Sequence, residues 1–236
     1  KDRQGEAYHR YVLGLYELME RITSAFPDVL FEGCSGGGGR FDAGFAYYMP
    51  QIWTSDNTDA VSRLTIQYGT SLVYPISMTT AHVSAIPNHQ TGRKTSFETR
   101  GNAAMSAVFG YELDLTKMSQ EDKDQVKEQV ACYKEIRKLI QYGNFYRLKS
   151  PVETNQAAWM FVSDDKRDVC VMTFQVLAFA QPCLTKTKLF GLDPELEYEN
   201  LETHEIFGGD ELMELGFYDP IVHQDYTSKM YRFKGI

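Results

Sequence analysis

The sequence lacks a basic run: 24 lysines and arginines face 32 aspartates and glutamates, for a net charge of −8. A nucleic-acid partner would call for a clustered positive face, so that class is excluded. Long apolar runs are also missing. No stretch approaches the roughly 20 residues of a membrane span, and no signal-peptide pattern occurs, so no membrane partner is expected. The four cysteines, Cys34, Cys132, Cys170 and Cys183, include no C-x-x-C pair. A chain of 236 residues, 43% hydrophobic, can hold a core without disulfides. Reduced thiols in a cytoplasmic protein are the expectation. The histidines fall in no H-E-x-x-H or comparable spacing, so no metal site is expected. Neither G-x-G-x-x-G nor G-K-[ST] occurs, and no cofactor is expected. The chain begins at Lys1, without a methionine and close to a long helical pattern, which suggests a piece of something larger.

What is present divides by texture. Tyr8, Val12, Leu15, Met19, Ile22 and Phe26 step by four and three, predicting an amphipathic helix that Pro27 ends. Residues 29–31, "VLF", read as a strand buried on both faces. "MPQIWTS" gives a second strand, "SLVYPIS" (71–77) a third and "AVFGYEL" (107–113) a fourth. A helix begins at Asp59. Another runs from the cap-like Ser119 with Asp122, along Val126, Val130, Tyr133, Ile136 and Ile140, to Gly143. Strands alternating with helices predict a parallel sheet, open or closed as a barrel, over 1–143. From 144 to 236 the pattern becomes short β-rich runs with no helical period, predicting a separate antiparallel β domain.

Two stretches carry candidate chemistry. "EGCSGGGGRFDAG" follows the first strand, and within it Gly33-Cys34-Ser35-Gly36-Gly37 matches the G-x-S-x-G elbow of serine hydrolases. That elbow must turn directly into a helix, whereas four consecutive glycines each cost about 0.8–1.0 kcal/mol in a helix against alanine. Glycines directly after a core strand instead mean close backbone approach, typically to a ligand at the mouth of a parallel barrel. The second stretch is "WTSDNTDA", with Asp56 and Asp59 three residues apart. Ser55, Asp56, Thr58 and Asp59 can all cap a helix, and either carboxylate could instead do acid–base work.

Taken together, "LFEGCSGGGGRFDAGFAYYMPQIWTSDNTDAVSRL" resembles the signature of bacterial glycoside hydrolase family 36 α-galactosidases, and "YVLGLYELMERI" ahead of it fits as well. The resemblance implies an α/β plus all-β fold: 1–143 would be the second half of a (β/α)8 barrel and 144–236 a C-terminal antiparallel β-sandwich. It implies a retaining α-galactosidase acting on raffinose- and melibiose-type galactosides, often a homotetramer. Asp56 matches the general acid/base, and Cys34, Gly37 and Asp56 match substrate-binding positions. Asp59 serves the first helical turn on this reading, and Trp53 fills the barrel mouth or supports the sugar. The family's nucleophile lies in a K-W-D-x-N motif, which this sequence does not contain.

Two other classes compete. One is a serine or cysteine hydrolase using Ser35 or Cys34 with His82 or His89. The other is a non-catalytic fragment that binds sugar or assembles with other chains.

Overall fold

The computed structural model describes residues 2–220 and 222–236, and the chain forms two compact units, Lys1–Asp56 and Asn57–Ile236. In the first unit, helix α1 (Gln4–Ala25) ends one residue before Phe26, ahead of Pro27 as expected. Strand β1 (Glu32–Gly33) leads into a short turn, α2 (Ser35–Gly38), and then helix α3 (Ala43–Tyr48) and strand β2 (Gln51–Trp53). The two strands pair in parallel, Glu32 beside Gln51 and Gly33 beside Ile52. Phe45, Met49 and Ile52 form this unit's core, with Leu15 and Met19 of α1 packed against it. The strand expected at 29–31 lies at 32–33 instead. Val29 and Leu30 are more than half exposed, and the pairing edge begins only where Glu32 and Gly33 meet β2.

The second unit opens with helix α4 (Ala60–Ser71), followed by strand β3 (Thr79–Ser84), helix α5 (Phe97–Met105), strand β4 (Val108–Glu112) and helix α6 (Gln120–Tyr142). Strands β3 and β4 pair in parallel from Thr80–Val108 to Ser84–Glu112. The strand expected at 71–77 is absent. Helix α4 runs on to Ser71, and Ile76–Met78 form a 3-10 turn after Pro75, so the strand starts at Thr79. Arg63, buried on α4, donates to the main-chain oxygen of Thr80 at 2.6 Å and ties helix to strand. That burial pushes its guanidinium down to about 10.

Beyond Gly143 six strands form an antiparallel sheet. They are β5 (Asn144–Lys149), β6 (Gln156–Val162), β7 (Asp168–Gln175), β9 (Glu197–Asn200), β10 (Ile206–Gly208) and β12 (Thr227–Gly235), ordered β10-β9-β12-β7-β6-β5. Strands β8 (Lys186–Thr187) and β11 (Phe217–Tyr218) make a separate antiparallel pair. Helix α7 (Gly209–Glu214) corrects the expectation that no helix occurs in this half: "GDELME" is one short helix after β10.

The six-stranded sheet is apolar on both faces, which is why "AAWMFV" shows no alternation. Trp159, Phe161, Cys170, Met172 and Phe174 share one core with α4, α5 and α6. Met160, Val171, Leu189, Tyr198 and Phe233 form another. Polar contacts join the parallel strands' helices to the sheet. Asn102 of α5 donates to Ser228 at 2.9 Å, and the Trp159 indole donates to Ser106 at 2.8 Å.

Candidate active site

The glycine run after β1 forms a left-handed turn. Ser35, Gly36, Gly37 and Gly38 have φ of 62, 66, 72 and 87. The Gly38 amide donates to the Cys34 oxygen at 2.9 Å, and the Gly39 amide to the Ser35 oxygen at 3.2 Å. Left-handed helical backbone costs an L-residue with a Cβ about 1–2 kcal/mol, so successive left-handed positions call for glycine. The expected close approach is therefore real, but its partner is this chain itself. A Cβ on Gly37 would lie 2.5 Å from the Asp56 amide nitrogen, and one on Gly38 would lie 2.8 Å from the Thr54 oxygen. Bare glycine backbone lets the turn press against the segment that follows β2.

That segment holds Asp56, which is exposed. Trp53, the last residue of β2 and 8% exposed, donates its indole N–H to Asp56 Oδ1 at 3.0 Å. Cys34 is exposed immediately before the turn. Cys34, Gly37 and Asp56 thus gather where the parallel strands β1 and β2 end, the end at which barrel enzymes carry their chemistry.

Neighbouring groups have structural duties. Asp42 caps α3, accepting from the Phe45 amide at 2.8 Å, and also accepts from the Tyr16 hydroxyl at 2.8 Å. The hydrogen bond to Asp42 pushes the Tyr16 phenol up. Ser35 accepts from Arg40, whose guanidinium also donates to the Tyr11 hydroxyl at 2.8 Å. A guanidinium stays protonated and cannot take a proton from Ser35, so this contact supplies no general base to a serine nucleophile. His82 lies 3.8 Å from Glu112, and His89 is exposed. In the second unit, Asp59 is the N-cap of α4 and accepts from the Ser62 amide at 2.9 Å.

Reasoning from sequence missed the indole contact and the left-handed turn. The available signal for the first is spacing: a tryptophan at a strand end can reach a carboxylate three residues on. Among the described residues no cluster of three or more histidine, cysteine, aspartate or glutamate side chains could hold a metal, and no helix is long and apolar enough to cross a membrane.

Residues 1–143 match the Melibiase family model, and residues 156–233 match the glycosyl hydrolase family 36 C-terminal domain. Alpha-galactosidase 1 of Pediococcus pentosaceus is 68% identical over 235 residues, covering 100% of this chain and 32% of its own length. A solved structure of a variant of the GH36 alpha-galactosidase AgaA from Geobacillus stearothermophilus, in complex with raffinose, superposes with a TM-score of 0.97 at 57% identity. It covers 100% of this chain and 33% of its own. A second AgaA variant structure, in complex with stachyose, has a TM-score of 0.97 at 58% identity, with coverage of 100% and 33%. The chain therefore spans about a third of the length of the relatives it matches.

Proposed function

Because the chain belongs to the family 36 melibiases, we propose that it is the part of a retaining α-galactosidase that carries the general acid/base, with Asp56 in that role. The observation that supports this most directly is the clamp on Asp56. Gly37 packs against its main-chain nitrogen and Trp53 donates to its carboxylate, at the end of paired parallel strands. A carboxylate that only capped a helix would need neither. The relatives seen with raffinose and stachyose make α-galactosyl oligosaccharides of the raffinose and melibiose type the proposed substrates. Cys34 and Gly37 then lie at the galactosyl unit.

On this reading residues 1–143 are the second half of a (β/α)8 barrel, and 144–236 form a C-terminal β-sandwich. The complete protein is a cytoplasmic homotetramer.

The chemistry needs two carboxyls about 5–5.5 Å apart. One attacks the anomeric carbon from the β face, opposite the departing oxygen. Asp56 gives its proton to the departing glycosidic oxygen, and then accepts a proton from the water that cleaves the galactosyl ester. The nucleophile belongs to a K-W-D-x-N segment outside this sequence, so residues 1–236 alone should turn over no aryl α-galactoside.

Asp56→Asn in the full-length enzyme tests the assignment. Galactosides with poor leaving groups should lose about 10²–10⁴-fold in kcat. An aryl galactoside with a good leaving group should still form the galactosyl-enzyme, seen as a burst. Azide needs no general base, so it should restore turnover and give the α-galactosyl azide after two inversions. A β-galactosyl azide would make Asp56 the nucleophile and overturn the reading.

A further inference from the structure

Given the reading of Asp56 as the acid/base, on which this inference rests, we propose that Trp53 is a positioning residue that decides which oxygen of Asp56 moves the proton.

An indole N–H can only donate. Trp53 is nearly buried at the end of β2, so its N–H must be satisfied within the protein, and it is aimed at Asp56 Oδ1 at 3.0 Å. In the neutral carboxyl the better acceptor is the carbonyl-type oxygen. The donor therefore holds Oδ1 in that form and leaves the proton on Oδ2. The main chain of the same residue is held by Gly37, where no Cβ could be accommodated. One contact fixes where the carboxyl group is attached, and the other fixes its rotation.

The proton count follows. In the first step the Oδ2–H bond breaks and its proton passes to the glycosidic oxygen. The electron pair of the bond from that oxygen to the anomeric carbon leaves with the oxygen, while the nucleophile's carboxylate supplies the pair that forms the galactosyl ester at the same carbon. Asp56 becomes a carboxylate, and the indole bond to it becomes charge-assisted and stronger. In the second step Oδ2 takes a proton from water as the water oxygen bonds to the anomeric carbon. The ester bond from that carbon to the nucleophile breaks with its electron pair returning to the nucleophile's carboxylate, and the neutral Asp56 carboxyl returns. The indole contact thus strengthens as charge develops on Asp56, which is the condition for a contact to raise a rate as well as hold a geometry.

Tryptophan 53 can be replaced in the full-length enzyme by 3-benzothienylalanine, which has the same shape with sulfur in place of the N–H. The expected result is a roughly ten- to hundredfold fall in kcat/KM for melibiose, the scale of one lost hydrogen bond to a charged group. For a dinitrophenyl α-galactoside, whose first step needs no proton, kcat/KM should change by less than about threefold. Trp53→Phe should repeat this pattern, and in an Asp56→Ala background it should cause no further loss. An equal fall on both substrates, no fall on melibiose, or a further loss in the Asp56→Ala background would each mark Trp53 as a packing residue and overturn the proposal. If Asp56→Asn itself showed no dependence on the leaving group, the reading of Asp56 would fall, and this inference with it. If Asp56→Asn showed the dependence and the sulfur isostere did not, only the role of Trp53 would fall.

Discussion

Asp59 and Arg93 form an ion pair whose acidic half is buried. The Asp59 side chain is 1% exposed and that of Arg93 27%. The same carboxylate accepts from the amide and the hydroxyl of Ser62, each at 2.9 Å, at the start of α4. The Arg93 guanidinium lies 5.0 Å from the centre of the Tyr226 ring, on the segment leading into β12. One carboxylate thus starts a barrel-type helix and holds a cation that rests on the antiparallel sheet's last connection. Its oxygens are committed to structure, whereas Asp56, three residues earlier, is exposed and held by Trp53.

Asp59→Ala should therefore destabilise the protein without altering the chemistry. It removes a helix cap and leaves Arg93 without its counter-charge, for about 3 kcal/mol, at the low end of broken buried pairs because Arg93 keeps contact with solvent. Asp59→Asn retains an acceptor for the Ser62 amide and should cost less. Urea unfolding of the full-length enzyme measures both. The fall in kcat/KM, if any, should be the same for melibiose and for an activated aryl galactoside. Azide rescue in Asp59→Asn, with none in Asp56→Asn, would transpose the two assignments.

Cys170 offers a test by pH. It lies fully buried on β7 in the core shared with α6, and burial pushes its thiol up to about 12 from an ordinary 9.0. Above about pH 9 the unfolded thiol loses its proton while the folded one keeps it. The folded state then binds more protons, and stability falls as pH rises from about 9 towards 12. Cys170→Ala should cost about 1 kcal/mol of packing at neutral pH. It should also flatten the alkaline loss of stability relative to the parent protein. Denaturant midpoints at about pH 7 and pH 10 decide it, and an unchanged alkaline slope would count against a buried neutral thiol.

How much of this was legible beforehand depends on whether the deciding force was local. Asp59 and Ser119 announce helix starts through their own side chains, and both cap as expected. Ile136 and Ile140 keep a period of four and are buried. Helix α5 was invisible because Phe97, Thr99, Arg100, Gly101, Asn102, Ala103, Ala104 and Met105 are all buried. A helix in which Glu98 alone is exposed has no polar face to set a period. In 71–77 the apolar run suggested a strand, but Leu72 and Val73 are exposed in the turn after α4. At the site, "SGGGG" signalled close backbone approach, yet nothing in the sequence says that the approached group is the main chain of Thr54, Ser55 and Asp56.

That contact separates two adjacent glycines. Gly36 and Gly37 have nearly the same backbone, φ of 66 and 72, but a Cβ on Gly36 would meet nothing within 4 Å while one on Gly37 would strike the Asp56 nitrogen. Gly36→Ala should therefore carry only the cost of a left-handed alanine, about 1–2 kcal/mol, seen as a lower unfolding midpoint. Its kcat should stay at the parent value. Gly37→Ala carries the same backbone cost and must also displace the Asp56 main chain, or the turn itself, to open space. A carboxyl misplaced by about 1 Å can cost on the order of a hundredfold in rate. Because the displaced group is the proton donor, the loss should be greater for melibiose than for an activated aryl galactoside. Steady-state kinetics of both variants on both substrates, with unfolding curves measured in parallel, separate the two costs. If Gly36→Ala and Gly37→Ala lost stability and activity to the same extent, the glycines would serve the left-handed turn alone, and the close packing of Gly37 on Asp56 would have no part in catalysis.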